Sequence, residues 1–375
     1  MSALRLNPSL LKVPLYIAGK SVAEVQEALG LDDVLKLASN ENAIGPSPLA
    51  LAAAQQALAE AHRYPGLADR DLRRRLGPLT RPDFTEQHIM IGNGATDLIR
   101  LITQAFIFDG GEMVTSAITF PLYHICATMF GGTPVLAPPA ANLGFDLPAL
   151  AAAIGPDTRL VFICTPNNPT GMICRQPEVD DFLRQVPEHV LVVFDESYRD
   201  FADDPALPDP ADYVAEGRNV IVIRSFSKSA GLANLRVGYA VARPDLVEYL
   251  HRAQLPFNTG TPALVAATAS LDDQAYQERS RRLVHDELQW LYAALDALDL
   301  SYVRSQANFV LITDLPIDGF TLAERLSHRG VIVRPMGGWG LPAAIRVTVG
   351  APEHNQRFAA ALEAELAGLN GRSYA

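Results

Sequence analysis

One lysine in this sequence lies where covalent chemistry is expected. Lys228 belongs to residues 225–231 (SFSKSAG), which follow a short apolar run, and Arg236 comes eight positions later. A lysine amine among apolar groups loses its proton readily and can form a Schiff base with a carbonyl compound. Taken alone, this segment would also fit a lysine in a surface loop.

A carboxylate forms the second candidate. Asp195 opens residues 195–198 (DESY), directly after the apolar run 190–194. A carboxylate at the end of a buried strand needs a partner, because an unpaired buried charge is costly. A metal ion or a protonated heterocyclic nitrogen could serve. None of the eight histidines forms a ligand cluster with this carboxylate, so we expect no metal site.

Two turns complete the set of candidate sites. Residues 92–96 (GNGAT) join a predicted strand to a predicted helix, and a helix N-terminus favours a phosphate group. Asp97 stands where a dinucleotide-binding motif would have its third glycine, so that class of site is disfavoured. Residues 165–171 (TPNNPTG) follow another predicted strand, and their composition is also typical of an ordinary turn.

The elements that carry these segments alternate between strand and helix. We predict strands over residues 88–91, 159–164, 190–194 and 219–223, and a helix over 49–61 that begins after Ser47 and Pro48. This alternation indicates an α/β domain with a mostly parallel sheet, whose strand ends bind ligands. The strand predicted over 236–242 follows too short a connection for a parallel crossover, so we expect it to be antiparallel. From about residue 260, helices and short strands predict a smaller α+β domain.

Length and composition limit the classes of function. A chain of 375 residues exceeds the usual size of one hydrophobic core, and a net charge of −11 disfavours nucleic acid and anionic membranes as partners. Three cysteines form no disulfide framework, and no apolar stretch is long enough to span a membrane. We therefore expect a cytoplasmic protein with an N-terminal segment (1–45), a large domain (46–259) and a small C-terminal domain (260–375).

The order of these motifs resembles that of fold type I pyridoxal-phosphate enzymes. Within the class II aminotransferases of that fold, the sequence resembles the histidinol-phosphate aminotransferase family. The likeness extends over residues 36–42 (KLASNEN), 45–48 (GPSP), 63–65 (RYP), 164–171, 195–201, 333–335 (VRP) and 345–350 (IRVTVG). It implies a large domain with a mostly parallel seven-stranded sheet and a smaller α+β domain.

The resemblance implies a role for each motif in holding pyridoxal phosphate. Lys228 would form the Schiff base, Asp195 would pair with the ring nitrogen, and Asn168 and Tyr198 would contact the ring's phenolic oxygen. Tyr123 would stack on the ring. The phosphate would be bound by residues that surround the helix N-terminus, namely Gly94, Ala95, Thr96, Ser225, Ser227 and Arg236. The active unit would be a homodimer in which Tyr64 reaches the phosphate of the partner subunit.

The resemblance also implies a substrate site. Arg346 would bind the acidic group of the substrate, with Arg334, Tyr16, Asn42 and Asn308 near it. Both glutamate and histidinol phosphate offer such a group, which fits transfer of an amino group from histidinol phosphate to 2-oxoglutarate in histidine biosynthesis. Residues 15–19 (LYIAG) lack the two prolines that the family has there. An aromatic amino-acid aminotransferase and a decarboxylase of the threonine-phosphate type therefore stay open as alternatives.

Overall fold

The structure, a computed structural model, describes residues 5–14 and 21–370. Within these ranges the α-helices are, in chain order, α1 (Val22–Leu29), α2 (Pro48–Ala57), α3 (Ala68–Thr80), α4 (Ala95–Phe106), α5 (Leu122–Met129), α6 (Leu147–Ala152), α7 (Gln176–Gln185), α8 (Ala211–Ala215), α9 (Pro244–His251), α10 (Thr261–Ser270), α11 (Gln274–Ala297), α12 (Gly319–His328) and α13 (Pro352–Asn370). The strands are β1 (Leu35–Lys36), β2 (Ile89–Gly92), β3 (Glu112–Ser116), β4 (Thr133–Ala137), β5 (Thr158–Cys164), β6 (Leu191–Asp195), β7 (Val220–Ser225), β8 (Gly238–Val241), β9 (Ser301–Val303), β10 (Phe309–Thr313), β11 (Val331–Ile332), β12 (Arg334–Pro335) and β13 (Ile345–Thr348).

A seven-stranded sheet forms the centre of the large domain. Its strands follow the order β2-β8-β7-β6-β5-β3-β4, and β8 runs antiparallel to both of its neighbours while the other pairs are parallel. The central strands β5 and β6 are apolar almost throughout because helices cover both faces of the sheet. The predicted α/β fold is confirmed, as is the antiparallel direction of β8.

A second, antiparallel sheet forms the small domain. Its order is β12-β13-β10-β9, and its apolar face packs against helices α11, α12 and α13. The N-terminal segment joins this unit, since β1 pairs with β11 in parallel. The backbone N–H of Asn40 then bonds to the hydroxyl of Thr348, 2.9 Å away, which carries the segment to the end of β13.

Helix α10 bears on the division into domains. It packs along α2 and α3, and Ala263, Leu264 and Ala267 belong to the hydrophobic core of the large domain. The predicted boundary between residues 259 and 260 stays a prediction. Because of this packing, we propose a boundary after α10, close to the N-cap residue Asp273 of α11.

Candidate active site

A cavity of about 250 Å³ lies at the carboxyl ends of β5, β6 and β7, where the small domain covers the large sheet. The open edge of a mostly parallel sheet is where α/β enzymes bind their ligands. Its walls include most of the predicted site residues, namely Ala95, Thr96, Asn168, Asp195, Tyr198, Ser225, Ser227, Lys228, Arg236, Arg334 and Arg346. Motifs far apart in sequence therefore meet in one place.

Lys228 lies in the loop that follows β7 and is half-buried in the cavity wall. Its Nζ donates a hydrogen bond to the backbone carbonyl of Ser39 over 3.2 Å and lies 5.5 Å from the ring centroid of Tyr198. Burial, together with the positive charges of Arg346 and Arg236, lowers the pKa of Lys228 from 10.5 to about 8. At pH 7 about a tenth of this amine is therefore neutral and nucleophilic, a far larger fraction than for an ordinary lysine.

Asp195 is the last residue of β6 and is almost fully buried. Its Oδ1 accepts hydrogen bonds from the backbone N–H and the hydroxyl of Ser197, over 3.0 and 2.6 Å. Its Oδ2 accepts one from the hydroxyl of Tyr123 over 2.8 Å. Burial raises the pKa of this carboxyl group, while the hydrogen bonds and the charge of Lys228 act in the opposite direction.

Tyr123 does not occupy the position that its predicted role requires. Its ring is fully buried and stacks on Phe162, with centroids 4.7 Å apart and planes 10° apart. It lies in the first turn of α5, which turns this side chain toward the sheet, and it is absent from the cavity wall. Phe120, three residues earlier, lines the cavity instead, and it was not among the predicted site residues.

The N-terminus of α4 forms one end of the cavity. Gly94 is its N-cap residue with φ +82°, and a Cβ there would lie 2.4 Å from Nη2 of Arg236. Arg236 itself has φ +55°, and its guanidinium donates to the hydroxyls of Thr96 (3.1 Å) and Ser227 (3.3 Å). A helix N-terminus, two hydroxyls and an arginine form an environment suited to a phosphate group.

Tyr198 and Asn168 line the cavity between Asp195 and the small domain. The hydroxyl of Tyr198 accepts a hydrogen bond from Nδ2 of Asn40 over 3.0 Å, and burial raises its pKa to about 12. Asn40 also lines the cavity and was not predicted as a site residue. Its only signal in the sequence was its place in the segment KLASNEN.

Two arginines face the cavity from the small domain. Arg334 and Arg346 are directly opposite each other in the antiparallel pair of β12 and β13, so their side chains lie on the same face. Arg346 donates to Oδ1 of Asn168 and, over 2.8 Å, to the carbonyl of Ala38. The guanidinium of Arg334 lies 5.4 Å from the ring centroid of Trp339, which also lines the cavity. Two adjacent guanidinium groups form a site for an anionic group.

Two predicted substrate residues lie behind the cavity wall instead of in it. The amide of Asn42 donates to the carbonyls of Lys228 (3.1 Å) and Ser229 (2.9 Å), so it fixes the lysine loop. Asn308 is buried, and its Nδ2 donates to the carbonyl of Asn40 over 3.1 Å. Both are held by backbone groups and support the site from outside. The remaining predicted substrate residue, Tyr16, lies outside the described residues.

Tyr64 lies on the surface and is not among the residues that line the cavity of its own chain. Its side chain is 80% exposed and stacks on Phe257, which is 60% exposed, with centroids 4.8 Å apart. Leu67 and Leu255 beside them in sequence are also largely exposed. An apolar surface of this kind is typical of a contact with another protein chain.

The sequence matches a family model over most of its length. Residues 32–362 fit the model described as aminotransferase class I and II. The chain belongs to this family. A histidinol-phosphate aminotransferase from Anaeromyxobacter sp. strain Fw109-5 is 42% identical over 95% of this chain and 97% of its own. Another from Moorella thermoacetica is 41% identical over 96% of this chain and 92% of its own.

Solved structures agree with this membership. The aminotransferase resembles a histidinol-phosphate aminotransferase from Sinorhizobium meliloti in complex with pyridoxal-5′-phosphate, with a TM-score of 0.88 and 27% identity over 98% of this chain and 99% of that one. An aspartate aminotransferase from Thermus thermophilus with maleate has the same fold, with a TM-score of 0.81, 20% identity and coverage of 96% and 98%. The predicted fold type I architecture, aminotransferase class and likeness to histidinol-phosphate aminotransferases are confirmed.

In the part of the chain that the structure describes, no group of three or more histidine, cysteine, aspartate or glutamate side chains could hold a metal ion. Within residues 5–14 and 21–370, no helix is both long and apolar enough to cross a membrane. All three cysteines are buried free thiols.

Proposed function

We propose that this aminotransferase binds pyridoxal phosphate at Lys228 and transfers the amino group of histidinol phosphate to 2-oxoglutarate. The products would be imidazole-acetol phosphate and glutamate. The observation that carries the proposal is the convergence of three groups on one cavity: the lysine amine, the buried carboxylate of Asp195, and the anion environment around Arg236. The relatives named histidinol-phosphate aminotransferase support the choice of substrate.

The residues present fit the cofactor. When bound, pyridoxal phosphate supplies an aldehyde that amines can capture and a ring that accepts the electron pair released at the substrate's α-carbon. The neutral amine of Lys228 would capture the aldehyde and later move the proton at the α-carbon. The carboxylate of Asp195 would hold a proton on the ring nitrogen. The phosphate would lie at the N-terminus of α4, beside Arg236.

The substrate's second anionic group would bind at the paired arginines. Arg346 is buried and already placed by Asn168 and Ala38, so little side-chain entropy is lost when an anion binds. Arg334 adds a second positive charge from the neighbouring strand. The phosphate of histidinol phosphate and the side-chain carboxylate of glutamate would use this one site in turn. A phenylalanine side chain offers no charge to these guanidinium groups.

Steady-state kinetics with purified enzyme tests the proposal. We expect kcat/KM for histidinol phosphate with 2-oxoglutarate to exceed that for phenylalanine by about a hundredfold or more, because two charge-assisted contacts are lost with phenylalanine. A preference for phenylalanine or tyrosine would identify an aromatic amino-acid aminotransferase instead. Release of CO₂ without formation of glutamate would identify a decarboxylase.

We further propose that the enzyme works as a homodimer in which Tyr64 reaches the phosphate site of the partner subunit. The exposed aromatic pair formed by Tyr64 and Phe257 supports an interface in this region. The Tyr64 hydroxyl is not part of the cavity wall of its own chain, so its contribution to catalysis would come from a second chain. The three reduced cysteines agree with a cytoplasmic location.

A further inference from the structure

The carboxylate of Asp195 accepts more hydrogen bonds than are needed for it to pair with one ring nitrogen. Three donors contact its two oxygens: the backbone N–H of Ser197, the hydroxyl of Ser197 and the hydroxyl of Tyr123. The two hydroxyls approach different oxygens, at 2.6 and 2.8 Å. Such bonds fix the plane of the carboxylate, and they stabilise its ionised form in a site where burial favours the neutral one.

The position of the Tyr123 hydroxyl is determined by packing. The ring lies flat against Phe162, and the edge of Phe120 meets it at 84° with centroids 5.8 Å apart. The ring is wholly inaccessible to solvent, and burial raises the pKa of Tyr123 well above its ordinary value. The hydroxyl therefore keeps its proton and acts as a fixed donor to Oδ2 of Asp195.

Ser197 supplies the second hydroxyl from the turn that follows β6. Its side chain lines the cavity and bonds to Oδ1 over 2.6 Å, a distance typical of a strong bond to a charged acceptor. Its backbone N–H contacts the same oxygen. An alanine at this position would keep the backbone bond and lose only the hydroxyl.

We propose that Tyr123 and Ser197 are positioning residues whose hydroxyls keep Asp195 ionised and aimed at the ring nitrogen of the cofactor. The inference rests on the proposed use of pyridoxal phosphate. Loss of either hydroxyl makes the carboxylate of Asp195 more basic. The proton shared between this carboxylate and the ring nitrogen then lies closer to the carboxylate. The ring then carries less positive charge and accepts the electron pair of the substrate's α-carbon less readily.

The effect reaches Lys228 through the charge of the ring. A less positive ring repels a proton on Nζ of Lys228 less strongly, so that proton is lost at higher pH. We expect the midpoint of the pH titration of visible absorbance, measured on holoenzyme, to move upward by about one pH unit in Tyr123→Phe and in Ser197→Ala. We expect kcat to fall about tenfold in each, with KM nearly unchanged.

Tyr213→Phe is the matched control. Tyr213 is also buried, also packs against a phenylalanine, and donates to a carboxylate, Asp180, over 2.6 Å, but it is not part of the cavity wall. Its titration midpoint and kcat should equal those of the wild type. An equal shift in this control would mean that general packing is responsible and would overturn the inference.

Two further results separate this inference from the proposed function. An unshifted midpoint in both Tyr123→Phe and Ser197→Ala, with cofactor bound and visible absorbance retained, would refute the positioning role and leave the cofactor assignment intact. A wild type that never acquires visible absorbance with pyridoxal phosphate would refute both. Ser197 lies in the cavity wall, so its variant gives an answer even if the fully buried Tyr123→Phe folds poorly.

Discussion

The chemistry of the site begins with the protonation state of Lys228. Because its pKa is lowered to about 8, the neutral amine dominates above that pH, whereas an ordinary lysine would stay charged. Only the neutral amine attacks an aldehyde, so the rate at which apoenzyme captures pyridoxal phosphate should rise with pH to a plateau. We expect a midpoint about 8 when the visible absorbance is followed after mixing.

A lysine model compound measured in parallel provides the reference, with its midpoint at the ordinary lysine value. Lys228→Ala should lose the capture that has its midpoint at about 8, since Lys12 and Lys36, the other lysines among the described residues, lie outside the cavity wall. If the midpoint for the wild type equals that of the model compound, burial and the two arginines do not activate this amine.

Arg346 allows a second test at the same scale. Replacing it with alanine removes the guanidinium shared by both proposed substrates, so KM for glutamate and for histidinol phosphate should rise together by about tenfold or more. Because Arg346 also bonds to Asn168, Arg346→Lys is the control. This variant keeps the positive charge but loses the bidentate geometry of the guanidinium, so it should raise KM by an intermediate amount. A rise for only one substrate would contradict a shared anion site.

The sequence predicted the residues that belong to contiguous motifs at strand ends better than the residues that approach from elsewhere. Asp195 and Lys228 lie in the cavity wall because β6 and β7 end at one edge of the sheet, and Arg236 lies there because the antiparallel strand β8 begins at that edge. Asn40 and Trp339 are brought there by pairing within the small domain, which the spacing of residues along the chain does not encode. The orientation of Tyr123 depends on which way the first turn of α5 faces, and only the packed structure reveals that.

At the scale of elements, the start of α4 leaves no room for an added side chain at Gly94. Gly94→Ala would place a Cβ against the guanidinium of Arg236 and would hold alanine at φ +82°. We expect the arginine to be displaced and the dissociation constant of pyridoxal phosphate to rise about tenfold or more, alongside a loss of about 1 kcal/mol of folding stability. Cofactor titration and thermal unfolding of apoenzyme measure the two effects separately.

Gly30→Ala is the control for backbone strain. Gly30 ends α1 with φ +66°, and nothing lies within 4 Å of its added Cβ. Gly30→Ala should lower the folding stability by an amount similar to that of Gly94→Ala and leave cofactor affinity unchanged. Equal losses of affinity in the two variants would mean that strain, and not the contact with Arg236, weakens binding.

The strands differ in how plainly the sequence encodes them. Strands β5, β6 and β7 are buried on both faces, so they are nearly continuous apolar runs, and their bounds were predicted within one or two residues. Strands β3 and β4 were not predicted. β3 ends in Thr115 and Ser116, and β4 lies at the sheet edge, partly exposed and containing Pro134. Without an apolar run or clean alternation, tertiary pairing alone defines them.

At the scale of the whole molecule, one chain is proposed to lack part of its own site. Tyr64 is exposed and lies outside the wall of the cavity that its chain forms, so each complete site would combine Lys228 of one subunit with Tyr64 of the other. Lys228→Ala destroys the site to which a chain gives its lysine, and Tyr64→Ala weakens the site to which it gives its tyrosine. These two defects can therefore be placed in the same site or in different sites.

Hybrid dimers carrying two different affinity tags test this arrangement. A hybrid of a Lys228→Ala chain with a Tyr64→Ala chain should have one intact site and one doubly defective site, and about half the wild-type activity at limiting cofactor. A hybrid of wild type with the double variant Lys228→Ala/Tyr64→Ala contains the same substitutions, but each of its sites has one defect. The activity of this second hybrid should be about tenfold lower than that of the first hybrid. If Tyr64 instead contributed to the site of its own chain, the first hybrid would have the lower activity. The second hybrid would then have about half the wild-type activity.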